Sequence, residues 1–311
     1  MKFKDDKLKP LTVGKSNSNL SNAKGKSFGY QVLGFGAGKG IVPREPYDIS
    51  FLVVGGGGGS NQTDNLGYNG GGGAGGYRTA TESSVALDTV ITVTVGDGGS
   101  GVNGNASSFS GSGLTTISSA GGGFGATYNK INTAGSGGSG GGATFNNSNG
   151  YGSGNTPSTS PSQGNNGGPA PNTGPYGAGG GGGASQAGQS GGSASGHGGD
   201  GTANSITGSS VTYAGGGGGG RNLNPAGDGG AGGGAAGNTT GSAANGTANT
   251  GGGAGGQGTT GNQAPSTGGK GVVILSFPTI GYSNTTTGSP TVTTSGANTI
   301  LKFTGSGSYT T

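Results

Sequence analysis

Glycine fills 87 of the 311 positions and is gathered into blocks, 55–59, 70–73, 179–183 and 215–220, that are longer than any turn requires. Each glycine loses the most backbone entropy on ordering and offers no side chain to bury. Leu, Ile, Val and Phe together number only 43 of 311, a fraction at which chains are usually disordered. Disorder of that kind ordinarily comes with a strong net charge, whereas here charged residues are 8% and the net charge is +4. Either something other than a hydrophobic core holds this chain, or it is a flexible matrix or linker.

Apolar segments punctuate the blocks. Residues 47–54 (YDISFLVV) and 271–277 (GVVILSF) are rich in β-branched and aromatic side chains and read as strands. Across 85–95, Ile91, Val93 and Val95 share one face and Thr92 and Thr94 the other, the period of a half-buried strand. Shorter candidates are 106–109, 114–117, 210–213, 291–294, 298–304 and 308–311. No apolar 3.6-residue pattern survives the glycines, so α-helix is not expected. Between 120 and 269 the chain alternates Gly/Ala blocks with polar inserts such as 61–69, 145–175 and 221–225. Without a strict Gly-X-Y register, collagen is excluded.

Glycine blocks can adopt an extended helix of the polyproline II kind, with three residues per turn. Lacking Cβ atoms, such helices can lie side by side and exchange N–H···O and Cα–H···O contacts, which satisfies the backbone without an apolar core. The expected fold is therefore all-β and irregular: short strands plus packed polyglycine II-type helices in glycine-rich layers, with essentially no α-helix. Three parts are delineated: a basic arm over 1–46 ended by Pro43 and Pro46, a glycine-rich domain over 47–277, and a small β segment over 278–311.

The residue types exclude several functions. There is no cysteine, hence no disulfide or thiolate metal site. With 87 glycines, a G-x-G-x-x-G match is expected by chance about seven times, and the best-placed one fails at Ser60. Lys39 and Lys270 each follow a glycine, but the next residue is glycine, not the Ser/Thr of a phosphate loop. His197, the one histidine, forms neither a metal shell nor a triad with Asp200 alone and reads as a solvated loop residue. The scattered carboxylates make no acid–base pair, so no enzyme, cofactor or metal is expected. Arginine occurs only as Arg44, Arg78 and Arg221, unlike an Arg-Gly RNA binder, and no nucleic-acid partner is expected. No run approaches a membrane span, and no apolar h-region follows the basic start, which is the pattern of a protein made and assembled in a cytoplasm. Eight of the eleven lysines lie at or before Lys39, suiting either a solvated arm or an acidic socket. Among the aromatics, Tyr128, Phe145, Tyr151 and Tyr176 in the inserts are candidate ligand contacts, because amphipathic rings stack on sugar faces. Phe51, Tyr77 and Tyr213 read as scaffold instead.

Taken together, 51–59 (FLVVGGGGG), 70–77 (GGGGAGGY), 91–99 (ITVTVGDGG), 205–220 (SITGSSVTYAGGGGGG) and 268–275 (GGKGVVIL) resemble the glycine-rich domain family of tailed-bacteriophage structural proteins. The tail 291–304 (TVTTSGANTILKFT) is similar to a β segment that often precedes that domain but here follows it. A more distant similarity, in block-and-insert style alone, is to T-even-like fibre-tip adhesins built on polyglycine helices.

The resemblance implies a non-enzymatic virion protein, assembled in the host cytoplasm and exposed on the particle. A tail fibre or fibre tip comes first, and a head fibre or capsid decoration is the alternative. The arm, through Phe28, Tyr30 and Phe35, would dock on other virion proteins. Tyr128, Phe145, Tyr151 and Tyr176 would meet a host-surface glycan or outer-membrane protein, without membrane insertion. Such fibres are often trimers, which makes a homotrimer part of the expectation, although no coiled-coil heptads are present. Outside this family, ice-binding bundles also use glycine-rich three-per-turn helices, but they require regular flat faces that these irregular inserts lack.

Overall fold

The computed structural model describes residues 45–61, 68–129, 131, 133–174, 176–221, 225–258 and 263–311. The chain divides into Met1–Arg44 and Glu45–Thr311; Phe28, Tyr30 and Phe35 lie outside the described residues, and only the second unit is considered below. Among the described residues the fold is all-β, apart from a 3-10 turn at Thr279–Gly281.

The first sheet contains β1 (Tyr47–Val54), β2 (Tyr77–Val85), β8 (Val272–Pro278), β10 (Thr291–Ser295) and β11 (Asn298–Phe303), in the order β10-β11-β8-β1-β2. The second contains β3 (Val90–Thr94), β4 (Ser107–Ser110), β5 (Ile117–Ser119), β9 (Thr285–Thr287) and β12 (Gly307–Thr310), in the order β5-β4-β3-β12-β9. A two-stranded ladder joins β6 (Thr202–Asn204) to β7 (Val211–Tyr213). All of these pairings are antiparallel.

Alternation along the strands divides the apolar residues between two cores. Ile49, Phe51 and Val53 of β1, Val273, Leu275 and Phe277 of β8, and Leu301 and Phe303 of β11 face Ile91, Val93, Phe109 and Tyr309 of the second sheet. The intervening Leu52, Val54, Val272, Ile274 and Ile300 pack on the opposite face against Tyr213, Ala74 and Ala214. The first sheet is thus covered on both faces, which is why its central strands read as unbroken apolar runs. Aromatic contacts bind the layers: Phe51 lies 4.8 Å from Phe109, and Phe277 stacks on Tyr309 at 4.7 Å and 10°. The Tyr47 and Tyr309 hydroxyls are hydrogen-bonded at 2.6 Å in the interior.

Three details depart from the sequence reading. The expected strand over 85–95 is broken: Val85 ends β2 and β3 begins at Val90, because the chain turns at Asp88, whose φ is 60°. In the 114–117 candidate only Ile117 is in a strand, and Leu114 sits in a turn closed by its N–H to the Gly111 carbonyl at 3.1 Å. Residues after Pro278 share both sheets with the rest: β10 and β11 extend the first, and β9 and β12 the second. The β10–β11 hairpin turns at Gly296, with φ +58°, a backbone conformation that glycine supplies without a Cβ penalty.

Several strands run straight into glycine. β1 continues as 55–60, 69–76 lead into β2, β5 continues as 120–126, β7 as 214–220, and 268–271 lead into β8. Within these segments the hydrogen-bond partner changes at every residue and returns at every third. Gly55 and Gly58 donate to Gly76 and Gly73; Gly56 and Gly59 to Asn105 and Val102; Gly57 and Ser60 to Gly269 and Ser266. Segment 69–76 donates in the same rhythm to 120–126, 179–182 and 251–257, and accepts from 55–58, 139–142 and 217–220. The segments therefore form a bundle in which each points its N–H and C=O groups outward in three directions. A three-residue period is that of the extended three-per-turn conformation. The packing leaves no room for side chains: a Cβ on Gly71, Gly72 or Gly253 would stand 2.0, 2.1 or 1.9 Å from a neighbouring carbonyl oxygen. Alanine appears only where a Cβ fits, as at the fully buried Ala74, Ala126 and Ala254.

Candidate functional site: an aromatic cap on the glycine bundle

The direction of each segment decides where its flanking side chains go. Segments 120–126 and 139–142 run antiparallel to 69–76, whereas 179–182 runs parallel, as their hydrogen-bond registers show. The residue before 69–76 is Tyr68, those just beyond 120–126 and 139–142 include Tyr128 and Phe145, and Tyr176 precedes the last block. All four aromatics consequently emerge at one end of the bundle, the end away from the sheets.

There they form a single cluster. Tyr68 lies 5.9 Å from Tyr128, 5.6 Å from Phe145 and 5.7 Å from Tyr176, ring centroid to ring centroid. Phe145 contacts Tyr128 at 5.9 Å and Tyr176 edge-on at 4.7 Å. Tyr68, Tyr128 and Phe145 are half-buried, and Tyr176 is 48% exposed. Such pairs contribute about 0.5–1.5 kcal/mol each beyond area burial, so the rings brace one another while keeping an open face.

Polar contacts fix the inserts beneath. Thr144 donates its hydroxyl to the Tyr68 carbonyl at 2.8 Å. Asn146 N–H reaches the Pro171 carbonyl at 3.0 Å, and Ser148 N–H the Asn172 side chain at 2.8 Å, which ties the insert after Phe145 to the one before Tyr176. Five buried side-chain atoms have no hydrogen-bond partner among the described residues: Ser60 Oγ, Asn69 Oδ1, Thr127 Oγ1 and Gln257 Oε1 towards this end, and Ser139 Oγ towards the sheets. Each such group costs about 1–3 kcal/mol, and places where local consistency fails are where function is expected.

Arg221 closes the 214–220 segment at the same end and is only 6% exposed. Its Nη1 donates to the Gly192 carbonyl at 3.2 Å and to the Ser193 carbonyl. Its segment is tied to the cap, since Gly220 N–H donates to the Asn69 carbonyl at 2.8 Å.

Of the residues singled out in the sequence, Tyr128, Phe145 and Tyr176 are brought together. Tyr151 is not: it stands on the flank of the bundle, where Gly152 donates to Gly141, and it has no ring partner among the described residues. Tyr68 and Arg221 complete the cap without having been singled out; Tyr68's place directly before a glycine block was the signal available. His197 is solvent-exposed, as expected, but sits in a bundle segment and not at a loop tip. Its segment is part of the bundle through Gly196 and Gly198, and its Nδ1 accepts the Asp228 N–H at 2.9 Å. Among the described residues no three His, Cys, Asp or Glu side chains gather, and no helix is long and apolar enough to cross a membrane. Away from the cap, a cavity of about 320 Å³ opens beside β2, lined by Tyr77, Arg78, Glu82, Ile117, Pro161 and Ala184 among others.

No curated protein matches the chain. The family profile described as a glycine-rich domain matches residues 34–278 and ends with β8, taking in the whole bundle and leaving β9–β12 beyond it. The chain belongs to the glycine-rich domain family.

Proposed function

We propose that this chain is a non-enzymatic bacteriophage virion protein, a tail fibre or fibre-tip component that presents the aromatic cap to the host surface. The observation that carries this reading is the polarity of the second unit. The chain enters at Tyr47, runs through β1 and on through 55–60, and reaches the capped end after thirteen further residues. At about 3.1–3.3 Å per residue that is roughly 40 Å. Four rings from four separate segments stand at the far end. An arm that docks on other virion proteins, a stiff bundle and a sticky end are the parts that an adhesive appendage needs. The ground for the virion assignment is the sequence resemblance of 51–59, 70–77, 91–99, 205–220 and 268–275 to phage structural proteins. The partner at the cap is a host-surface glycan or outer-membrane protein.

Immunogold labelling of purified particles tests the reading. Label at tail tips or fibres is the expected result. Label over the capsid would move the protein to a head fibre or decoration, and particles without label would overturn the virion assignment.

A further inference from the structure

On one side of the two sheets a strand edge is left without a partner strand. β2 borders the first sheet and β5 the second, and the two approach each other where Arg78 Nη1 donates to the Ser118 carbonyl at 3.3 Å. The cavity of about 320 Å³ runs beside β2, lined by Phe51 and Ile117 from the core and by Ser160, Pro161 and Ser162 from the insert.

One bond shows which way β2 turns its peptide groups. Tyr77 N–H donates to the Gln163 carbonyl at 2.8 Å, away from β1, and alternate residues of a strand face the same side. Thr79 and Thr81 therefore turn their N–H and C=O groups outward as well, and neither N–H has a hydrogen-bond partner among the described residues. On the face shared with Phe51, β2 presents Arg78, Ala80 and Glu82, opposite Val53, Phe51 and Ile49. Four residues of strand set the two charged groups about 13 Å apart, and neither is in an ion pair among the described residues.

We propose that this edge docks an extended peptide segment of another protein, added antiparallel to β2, that reads basic-x-apolar-x-acidic from its N-terminus. Thr79 and Thr81 exchange main-chain bonds with the two intervening residues, the mode of strand addition. The acidic side chain then stands opposite Arg78 and the basic one opposite Glu82, in the closely spaced, non-hydrogen-bonded pairs where cross-strand charges interact most directly. The apolar side chain lies over Ala80 and reaches Phe51 and Ile117. A second copy of this chain fits less well, because its other sheet edges, β5, β9 and β10, carry no charged residue to meet Arg78 and Glu82. The edge belongs to the sheet end of the bundle, and the inference holds whatever the aromatic cap meets.

The test uses the full chain and two synthetic probes, acetyl-TKTVTD-amide and its charge-exchanged counterpart acetyl-TDTVTK-amide, read by NMR titration and amide exchange. In the free protein the Thr79 and Thr81 amides should exchange fast and that of Ala80, which faces β1, slowly. TKTVTD should saturate the edge at about millimolar concentration and slow exchange at Thr79 and Thr81. It should bind about tenfold more tightly than TDTVTK, whose antiparallel pairing sets like charges opposite each other. N-methylation of the probe at its third and fifth residues, which face Thr81 and Thr79, should abolish binding. The double variant Arg78→Glu, Glu82→Arg should reverse the preference between the probes while leaving exchange in segment 69–76 unchanged; if it disturbs the bundle, the N-methylated probe on the parent protein decides. No binding by about 5 mM, equal binding of the two probes, or indifference to N-methylation would each overturn the inference. Protection of Thr79 and Thr81 that rises with protein concentration in the absence of peptide would assign the edge to a second copy and overturn it as well.

Discussion

Replacing Gly72 by alanine puts a single methyl group where the bundle has no space. Built on the existing backbone, that Cβ lies 2.1 Å from the Gly58 oxygen, 2.8 Å from its carbon and 3.1 Å from the Ala254 nitrogen. Contact distances near 3.5 Å require segments 55–60 and 69–76 to separate by roughly 1 Å or more. Three bonds cross that region: Gly72 N–H to Ala254, Ala254 N–H to Gly58, and Gly58 N–H to Gly73, at 2.8, 3.0 and 2.8 Å. At about 1 kcal/mol net each, and more where a buried donor is left unsatisfied, the loss is about 3–5 kcal/mol. Alanine gains about 0.4–1 kcal/mol by restricting the unfolded chain, which does not reverse the sign. With a urea slope of about 3 kcal/mol per molar, the unfolding midpoint should fall by about 1 M. Gly305→Ala is the matched control, since nothing lies within 4 Å of its Cβ position and its φ is not left-handed; it should leave the midpoint unchanged or slightly raised. If both variants unfold together with the parent protein, the close packing of glycine segments is not what stabilises this chain.

Three further outcomes follow from the same structure. In amide hydrogen exchange, Gly71, Gly72 and Gly73 should be protected by orders of magnitude relative to the exposed turn at Gly113; uniform fast exchange would mean a flexible linker. The Tyr309 hydroxyl is pushed far up, by burial first and by its bond to Tyr47 second, and those of Tyr77 and Tyr213 are raised chiefly by burial. The folded state thus keeps protons that the unfolded state releases, so stability is full below about pH 10 and declines above it; Tyr309→Phe should flatten that decline in pH-dependent urea melts. Tyr176→Ala should cut host-cell adhesion at least tenfold while moving the urea midpoint little, the ring being 48% exposed.

The strands that were legible in advance are those with a face to hide. β3 announces itself because Ile91 and Val93 alternate with exposed threonines, and β1 and β8 because, buried on both faces, they are dense runs of β-branched and aromatic residues. β2 carries no such signal: it is an edge strand whose residues 79–81 are exposed, so Thr79-Ala80-Thr81 has nothing to segregate. β9 was invisible for the same reason, three threonines on an edge. The glycine blocks foretold backbone-to-backbone packing but not which segment meets which, because identical glycines carry no register information. Register comes from the strands that feed them and from the few alanines with room for a methyl group. The cap was half legible: ring type and proximity to glycine marked Tyr128, Phe145 and Tyr176, but their convergence with Tyr68 depends on segment direction. Arg221 looked like a lone polar residue until its burial was seen.

A bundle cemented by peptide groups responds to temperature differently from an oily core. Heat-capacity change on unfolding grows with apolar surface exposed and shrinks with polar surface exposed. Here the largest fully buried apolar side chains all lie in strands, while 55–60, 69–76 and the segments around them bury little but amides and methyl groups. Calorimetry should accordingly return less than the usual 12–15 cal/mol/K per residue. A small heat-capacity change flattens the stability curve, so the protein neither weakens quickly in the cold nor depends on a narrow optimum, and its rigidity should be nearly the same over a wide range of temperature.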